Sequence, residues 1–218
     1  MEPERIEKAV YEATLDDGSI YGKLTSRDMK RLETTEKHIA GDAKSLLDVG
    51  CFCGEWLDFL LSRRQDIEEH LGIDVAESKI KEGGQLHPDL NLKAAFAEDL
   101  DVPDGGFEVV TCLEVLEHIP KWHAVFESLF RFASKQVVVT VPYRENIVKT
   151  PCVHCGKITP LYGHLHRYSE ESFPQVPGWS RSFKKIAGYN PSGSLIRRIY
   201  RVLRPIYSWL LVDYRKLS

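Results

Sequence analysis

A glycine-rich turn and a distant aspartate form the first pattern with chemical meaning. The segment Leu46-Leu-Asp-Val-Gly-Cys-Phe-Cys-Gly54 closes an apolar run with Gly50 and Gly54, which let the backbone bend sharply and approach a ligand. Asp74, about 20 residues past the turn, can accept hydrogen bonds from both ribose hydroxyls, or it can cap a helix. The pattern predicts a nucleoside-containing ligand and does not separate a nicotinamide cofactor from S-adenosylmethionine.

A second pattern combines cysteines and histidines between residues 152 and 166. Cys152 and Cys155 have CxxC spacing, a glycine follows, and His164 and His166 come shortly after. Two thiolates and two imidazoles can hold zinc tetrahedrally, so a structural zinc site is predicted from these four residues. Two alternatives stay open: a pair of reduced thiols in a loop, or histidines that face a substrate.

Apolar runs and helical patterns alternate between these groups. The predicted strands are Ser45–Val49, Leu71–Asp74, Leu92–Ala97, Phe107–Leu113 and Gln136–Val141, and the helices between them are Glu55–Ser62, Ala76–Gly83 and Lys121–Phe132. Such alternation predicts an α/β fold with a mostly parallel sheet and helices on both faces. Ligands of these sheets bind outside the carboxyl ends of the strands, which is where the residues above are expected.

The flanking regions complete one predicted domain over 1–218. Residues 1–43 form a helical cap with helices at 4–13 and 26–40, and residues 44–142 form the cofactor-binding core. Residues 143–180 read as an irregular Cys/His-rich insertion after the fifth strand. Residues 181–218 hold two further strands, Ser182–Gly188 and Leu210–Lys216, separated by a helix over Leu195–Tyr207. The prediction is therefore a seven-stranded sheet.

The composition fits a globular protein of the cytoplasm. A chain of 218 residues with 43% apolar residues can bury a sizeable core, and its net charge of −3 indicates no polyanionic partner. The amino terminus resembles no secretory signal, and no run reaches the roughly 20 apolar residues of a membrane span. Five cysteines without a signal argue for a reducing compartment.

The carboxyl-terminal region is basic. From Trp179 onward there are nine Lys or Arg residues and one acid, Asp213. Apolar and Arg side chains occupy different faces of the predicted helix, so residues 195–209 could contact an anionic membrane surface peripherally. The alternative is an ordinary surface helix packed on the sheet.

Taken together, the motifs over roughly 45–142 resemble those of class I, Rossmann-like S-adenosylmethionine-dependent methyltransferases. The resemblance is carried, in order along about half of the chain, by Leu46–Gly54, Gly72-Ile-Asp74, Ala97-Glu-Asp-Leu100, Phe107–Pro120 and the strand before Pro142. The family's usual turn is Gly-x-Gly-x-Gly, and this chain has Phe52 at the middle position.

The resemblance implies a set of cofactor contacts. Asp48 and Gly50 would lie against the methionine part, Asp74 would bind the ribose, and Asp99, with Glu98 beside it, would lie near the adenine. The full set of implied cofactor-binding residues is Asp48, Gly50, Cys51, Gly54, Asp74, Val75, Glu98, Asp99, Leu113 and Glu114.

Methyl transfer to oxygen or nitrogen also needs removal of a proton. His118, whose ordinary pKa lies near neutrality, is the first candidate base, followed by Glu117 and Tyr143. The sequence Glu114-Val-Leu-Glu117-His118 also resembles the Glu-x-x-Glu-His of ubiquinone-pathway O-methyltransferases and small-RNA 2′-O-methyltransferases. That likeness implies a divalent cation at Glu114, Glu117 and His118 that polarises a substrate hydroxyl, with His164 or His166 as a fourth ligand.

The expected function is S-adenosylmethionine-dependent O-methylation of a small-molecule, glycan or lipid-linked acceptor. RNA or protein methylation through the basic tail is the alternative, although nucleic acid is not the expected partner. A non-catalytic cofactor-binding module is a third possibility that the sequence leaves open.

Overall fold

The computed structural model describes residues 26–152, 155–188 and 207–217. The helix predicted at 4–13 lies outside this part of the chain. So do residues 195–206 of the predicted basic helix, and the peripheral contact expected there is an untested prediction.

Four α-helices and nine strands make up the described residues. The helices are α1 (Ser26–Glu36), α2 (Glu55–Leu61), α3 (Glu77–Leu86) and α4 (Trp122–Phe132). The strands are β1 (Ser45–Val49), β2 (Glu69–Asp74), β3 (Leu92–Ala94), β4 (Phe107–Leu113), β5 (Ala133–Pro142), β6 (Lys149–Pro151), β7 (Ile158–Pro160), β8 (Trp179–Ala187) and β9 (Tyr207–Lys216). Single turns of 3₁₀-helix cover Leu116–His118 and Glu170–Ser172.

Seven of these strands form one sheet in the order β3-β2-β1-β4-β5-β9-β8. The neighbouring strands from β3 to β5 pair in parallel, whereas β9 runs antiparallel to both β5 and β8. The predicted Rossmann-like α/β fold with a seven-stranded, mostly parallel sheet is therefore confirmed. The order reverses between β1 and β4, so the carboxyl ends of these two strands flank the expected ligand crevice.

The core is split between the two faces of the sheet because side chains alternate along each strand. Leu46 and Val109 face the cluster that contains α1 and α2, whereas Leu47 and Val110 face the cluster that contains α4. Both faces of the central strands are thus buried, which explains their continuous apolar runs.

Several predicted boundaries were wrong. Helix α1 ends at Glu36 rather than near residue 40, after the hydroxyls of Thr34 and Thr35 bond to carbonyls one turn back. Residues 143–178 are not wholly irregular, because β6 and β7 pair as a small antiparallel hairpin. Strand β9 begins at Tyr207, the last residue of the predicted basic helix. None of the helices among the described residues has the length and apolar character needed to cross a bilayer.

Candidate cofactor and cation site

The glycine turn after β1 has the conformation that the sequence pattern predicts. Gly50 and Gly54 have φ angles of 79° and 89°, in the left-handed region that favours glycine. A Cβ atom at Gly50 would lie 2.3 Å from Cγ2 of Val115, so the turn packs directly against the segment after β4. Gly50 and Cys51 both donate their backbone N–H groups to the carbonyl of Ile73, at 2.8 and 2.9 Å.

Phe52 occupies the position where the family usually has glycine. Its φ angle is 53°, so this residue adopts the left-handed conformation that a glycine would take there. Its ring is partly exposed and lies 5.4 Å from Nζ of Lys79. The departure from the motif therefore preserves the path of the backbone.

Asp74 connects the turn to the end of β2. Its Oδ2 accepts a 3.0 Å hydrogen bond from the backbone N–H of Phe52, and its Oδ1 accepts one of 2.9 Å from Ala76. Each carboxylate oxygen has two lone pairs, so a ribose hydroxyl can join the backbone donor at each. The N-cap residue of α3 is Ala76 and it has no side-chain cap bond, so the bond from Ala76 to Asp74 shapes the turn before the helix and does not cap it.

Asp48 is buried beneath the turn. Its Oδ1 accepts a 2.7 Å hydrogen bond from the hydroxyl of Thr111, which accepts one from Nε1 of Trp56 at 3.2 Å. Burial raises the pKa of Asp48 to about 7, the bond from Thr111 opposes that rise, and the nearby charge of Asp74 adds to it. The remaining residues predicted to bind cofactor differ in exposure: Cys51 and Gly54 are buried, Val75 and Leu113 are half-buried, and Glu98 and Asp99 are exposed.

Glu114 begins a sharp turn immediately after β4. Its φ angle is 62°, its N–H donates to the carbonyl of Thr140 at 2.9 Å, and its Oε1 accepts from the hydroxyl of Thr140 at 3.0 Å. The turn leads directly into the 3₁₀ turn at Leu116–His118. Backbone geometry therefore brings Glu117 and His118 back toward the sheet.

Glu117 is the most unusual side chain of the site. It is only 1% exposed, and neither of its carboxylate oxygens has a hydrogen-bond partner. Burial raises its pKa well above the usual range, and the charge of Glu114 raises it further. A buried carboxylate without partners is costly, so this position calls for a proton or a cation.

His118 and His164 complete a cluster with Glu117. One ligand atom from each of the three side chains lies within 4.8 Å of the other two. The imidazole rings of His118 and His164 meet edge to face, with centroids 4.7 Å apart. The backbone N–H of Leu165 donates a 2.7 Å hydrogen bond to the carbonyl of Glu117, which ties the insertion to the segment after β4.

The donor set fits a divalent cation. A carboxylate oxygen and two imidazole nitrogens suit first-row transition metals, and the charge of a cation would compensate the buried Glu117. Glu114, which the resemblance implied as a ligand together with Glu117 and His118, is not part of this cluster, and burial raises its pKa. Of the two histidines that the sequence offered as a further ligand, the structure brings His164 to the cluster.

The reason for choosing His118 as a general base does not hold in the folded protein. Its pKa is lowered to about 4, chiefly by burial and to a smaller extent by the neighbouring His164. Its imidazole is therefore neutral near pH 7 but weakly basic, which suits a metal ligand better than a proton acceptor.

Tyr143, another candidate base, donates its hydroxyl hydrogen to Glu170 at 3.2 Å, and Glu170 also pairs with Lys185.

The four residues predicted to bind zinc do not come together. His164 lies with Glu117 and His118, and His166 contacts the carbonyl of Ile119 through Nε2 at 2.9 Å. Cys152 and Cys155 lie at the β6–β7 hairpin and belong to no three-residue metal cluster within the described residues. The predicted tetrahedral set of Cys152, Cys155, His164 and His166 is therefore not formed in this structure.

Sequence reasoning missed three side chains that shape the site. Thr111 and Thr140 hold the carboxylates of Asp48 and Glu114, and Glu145 contacts Nδ1 of His164. Nothing in their spacing sets these residues apart. The strand assignments alone could have placed Thr140 beside β4, since β4 and β5 are neighbours.

Comparison with known proteins agrees with this geometry. A family described as "Methyltransferase domain" matches residues 23–191, which is most of the chain. The fold resembles the crystal structure of an S-adenosylmethionine-dependent methyltransferase from Mesorhizobium loti, with a TM-score of 0.59 and 13% identity over 88% of this chain and 98% of that one. The sheet order and the family match thus identify the fold of a class I methyltransferase. The chain belongs to the class I S-adenosylmethionine-dependent methyltransferases.

Two curated relatives are informative about chemistry. The chain is 32% identical over 112 residues to the ubiquinone biosynthesis O-methyltransferase of Chromobacterium violaceum, covering 48% of this chain and 46% of that protein. It is 29% identical over 131 residues to a small RNA 2′-O-methyltransferase of Arabidopsis thaliana, covering 53% of this chain and 14% of that protein. The matched segments therefore span less than half of the length of either relative.

Proposed function

We propose that this protein transfers the methyl group of S-adenosylmethionine to a hydroxyl oxygen, with a divalent cation held by Glu117, His118 and His164. The observation that carries the proposal is the buried carboxylate of Glu117, whose two oxygens lack partners although two imidazoles lie within reach. Glu114 lies outside the cluster that these three side chains form, and its Oε1 accepts a hydrogen bond from Thr140.

The cofactor side of the reaction needs little from the protein beyond placement. S-adenosylmethionine supplies an activated methyl group on a sulfonium; the acceptor oxygen gains that methyl and loses its proton, and S-adenosylhomocysteine leaves. The turn at Gly50–Gly54 and the carboxylate of Asp74 would hold the adenosyl part, and Asp48 would lie near the methionine part. Holding the acceptor oxygen in line with the methyl group then accounts for much of the rate.

The cation side of the reaction concerns the acceptor proton. A bound divalent cation polarises a coordinated hydroxyl and lowers its pKa. His118 is neutral near pH 7 and offers a nitrogen lone pair, while Glu117 contributes a compensating negative charge. This division of roles requires no strongly basic side chain. His118 is not one, because its pKa is lowered.

The acceptor is proposed to be a small molecule, glycan or lipid-linked compound with an apolar portion. The insertion that carries His164 exposes five large apolar side chains: Val148, Ile158, Leu161, Tyr162 and Leu165. The ring centroid of Tyr162 lies 6.2 Å from that of His164. Exposed apolar side chains grouped in this way favour contact with an apolar ligand surface. The similarity to ubiquinone biosynthesis O-methyltransferases supports the same acceptor class.

The similarity to the Arabidopsis protein favours RNA as a second candidate acceptor, because that relative is named for methylation of a 2′-oxygen. Both candidates place the methyl group on a hydroxyl. They differ in salt dependence, since binding of a polyanion weakens steeply with salt and binding of a neutral small molecule does not.

Incubation of the protein with trideuteromethyl-labelled S-adenosylmethionine and a metabolite extract tests the proposal. We expect a product heavier by one labelled methyl group, whose fragmentation places the label on oxygen. Treatment with a chelator should abolish the product, and added Mn²⁺ or Mg²⁺ should restore it. A labelled amine, or label incorporation that is insensitive to chelation, contradicts the proposal.

A further inference from the structure

We propose that Glu145 is a positioning residue that orients His164 for cation binding by accepting the hydrogen on its Nδ1. This inference rests on the proposed function, because it concerns the same cation site. It adds a residue outside the Glu-x-x-Glu-His pattern, contributed by the loop after β5.

The backbone around Glu145 is fixed at an unusual conformation. Arg144 has a φ angle of 50°, which is uncommon for a residue with a side chain. Its N–H donates to the carbonyl of Tyr168 at 2.8 Å, and the N–H of Tyr143 donates to the carbonyl of Ser208 at 2.9 Å. These two bonds hold the chain up to the bend at Arg144, immediately before Glu145.

The contact determines which nitrogen of His164 is available. Oε2 of Glu145 forms a hydrogen bond with Nδ1 of His164, and both side chains are largely buried, with 27% and 19% exposure. A carboxylate at Nδ1 stabilises the tautomer with hydrogen on that nitrogen, so the lone pair is on Nε2. A metal-bound histidine commonly donates its other ring N–H to such a carboxylate, which also raises the basicity of the ligand.

The surroundings of His164 restrict its remaining freedom. Leu165 is fixed to Glu117 through its backbone, and the ring of His164 lies against that of His118. A Cβ atom at Gly163 would lie 3.4 Å from Nδ1 of His118, so the chain passes close to this ring. Among the described residues, the ring of Tyr162 also lies near His164, with centroids 6.2 Å apart, and Glu145 forms the hydrogen bond to Nδ1 of the imidazole.

The first test measures Mn²⁺ binding by electron paramagnetic resonance for the wild type, Glu145→Ala and Glu145→Gln. We expect Glu145→Ala to weaken binding about 10- to 100-fold, the range typical of such outer carboxylates. Glu145→Gln keeps an oxygen acceptor for Nδ1–H and should recover most of the affinity. Glu127→Ala, which removes an exposed carboxylate on α4, serves as the matched control and should bind as the wild type does.

The second test needs no metal and separates this inference from the proposed function. Long-range ¹H–¹⁵N spectra of metal-free protein, assigned with a His164→Gln variant, report the tautomer of His164. We expect hydrogen on Nδ1 in the wild type and in Glu145→Gln, and a shift toward the Nε2–H form in Glu145→Ala. An unchanged tautomer in Glu145→Ala overturns the role of Glu145. A wild type that binds no Mn²⁺ but shows the expected tautomers overturns the cation proposal and leaves the orienting contact established.

Discussion

The backbone N–H of Leu165 donates a hydrogen bond of 2.7 Å to the carbonyl oxygen of Glu117, and the two histidines beside Leu165 take different directions from that anchor. His164 joins the cluster with Glu117 and His118, whereas His166 contacts the carbonyl of Ile119. Their spacing in the sequence does not distinguish the two histidines, whereas the structure gives them different partners.

This difference gives a matched pair of variants. We expect His164→Ala to weaken Mn²⁺ binding by about 10-fold or more, because it removes a ligand atom from the cluster. His166→Ala should leave Mn²⁺ affinity within about 2-fold of the wild type, since the side chain contacts a backbone carbonyl instead. Titration of free Mn²⁺ by electron paramagnetic resonance provides the measurement. Equal losses in both variants would show that the two histidines are not distinguished in this way.

The carboxylate of Asp74 should control cofactor affinity. Replacing it with alanine removes the acceptor proposed for the ribose hydroxyls and also two backbone bonds that shape the turn. We expect the dissociation constant for S-adenosylhomocysteine to rise on the order of 10- to 100-fold, as measured by isothermal titration calorimetry. Asp101→Ala, at an exposed position, is the control. Unchanged affinity in Asp74→Ala would contradict the assignment of the adenosyl site.

Asp48 should make the stability of the protein depend on pH. Its pKa is about 7 in the folded protein against 3.8 for an ordinary aspartate, so the folded state holds this proton more tightly than the unfolded state does. The stabilisation that results from this difference in proton binding is therefore complete below about pH 4 and is lost as pH rises to about 7.

Comparison with Asp48→Asn isolates this effect, because the amide does not titrate. Urea denaturation between pH 5 and 8 should show the wild type losing stability relative to Asp48→Asn as pH rises, with the difference levelling off above about pH 7. A difference that stays constant across this range would mean that Asp48 is not protonated in the folded protein.

Gly50 should tolerate no side chain. In Gly50→Ala the added Cβ would lie 2.3 Å from Cγ2 of Val115. The alanine would also have to adopt the φ angle of 79° that the glycine has. We expect a loss of about 2–3 kcal/mol in the free energy of unfolding, measured by urea denaturation. The added Val115→Ala substitution should relieve the collision and recover part of the loss, while the strain of the backbone conformation remains. Strictly additive effects of the two substitutions would contradict a direct contact.

Much of the fold could be predicted from local patterns. The buried strands β1 and β4 have continuous apolar runs, and both were predicted with the bounds that the structure has, Ser45–Val49 and Phe107–Leu113. The strands of the β6–β7 hairpin are three residues long and contain proline, so they carry no alternation that a sequence reading could detect. His164, one of the four residues predicted to bind zinc, lies with Glu117 and His118, because spacing along a loop does not determine which side chains converge.

The site could be predicted where its residues follow strand ends, and not where they come from distant loops. Asp74 and Glu114 follow from the topology of parallel strands, since carboxyl ends meet at one edge of the sheet. His164 and Glu145 meet only because the insertion folds back on the segment after β4, which is a long-range arrangement. The lowered pKa of His118 is likewise a product of burial and cannot be read from its position in the chain.

Methyl transfer should depend on the buried carboxylate of Glu117 and on a bound divalent cation. Formation of S-adenosylhomocysteine from S-adenosylmethionine and an extract fraction containing the acceptor should be measured for the wild type and for Glu117→Gln, with a chelator and after addition of Mn²⁺. We expect the chelated wild type to be inactive and to recover with Mn²⁺. Glu117→Gln should bind S-adenosylhomocysteine normally but stay inactive at every Mn²⁺ concentration. Full turnover by the chelated wild type, or by Glu117→Gln, would contradict this dependence.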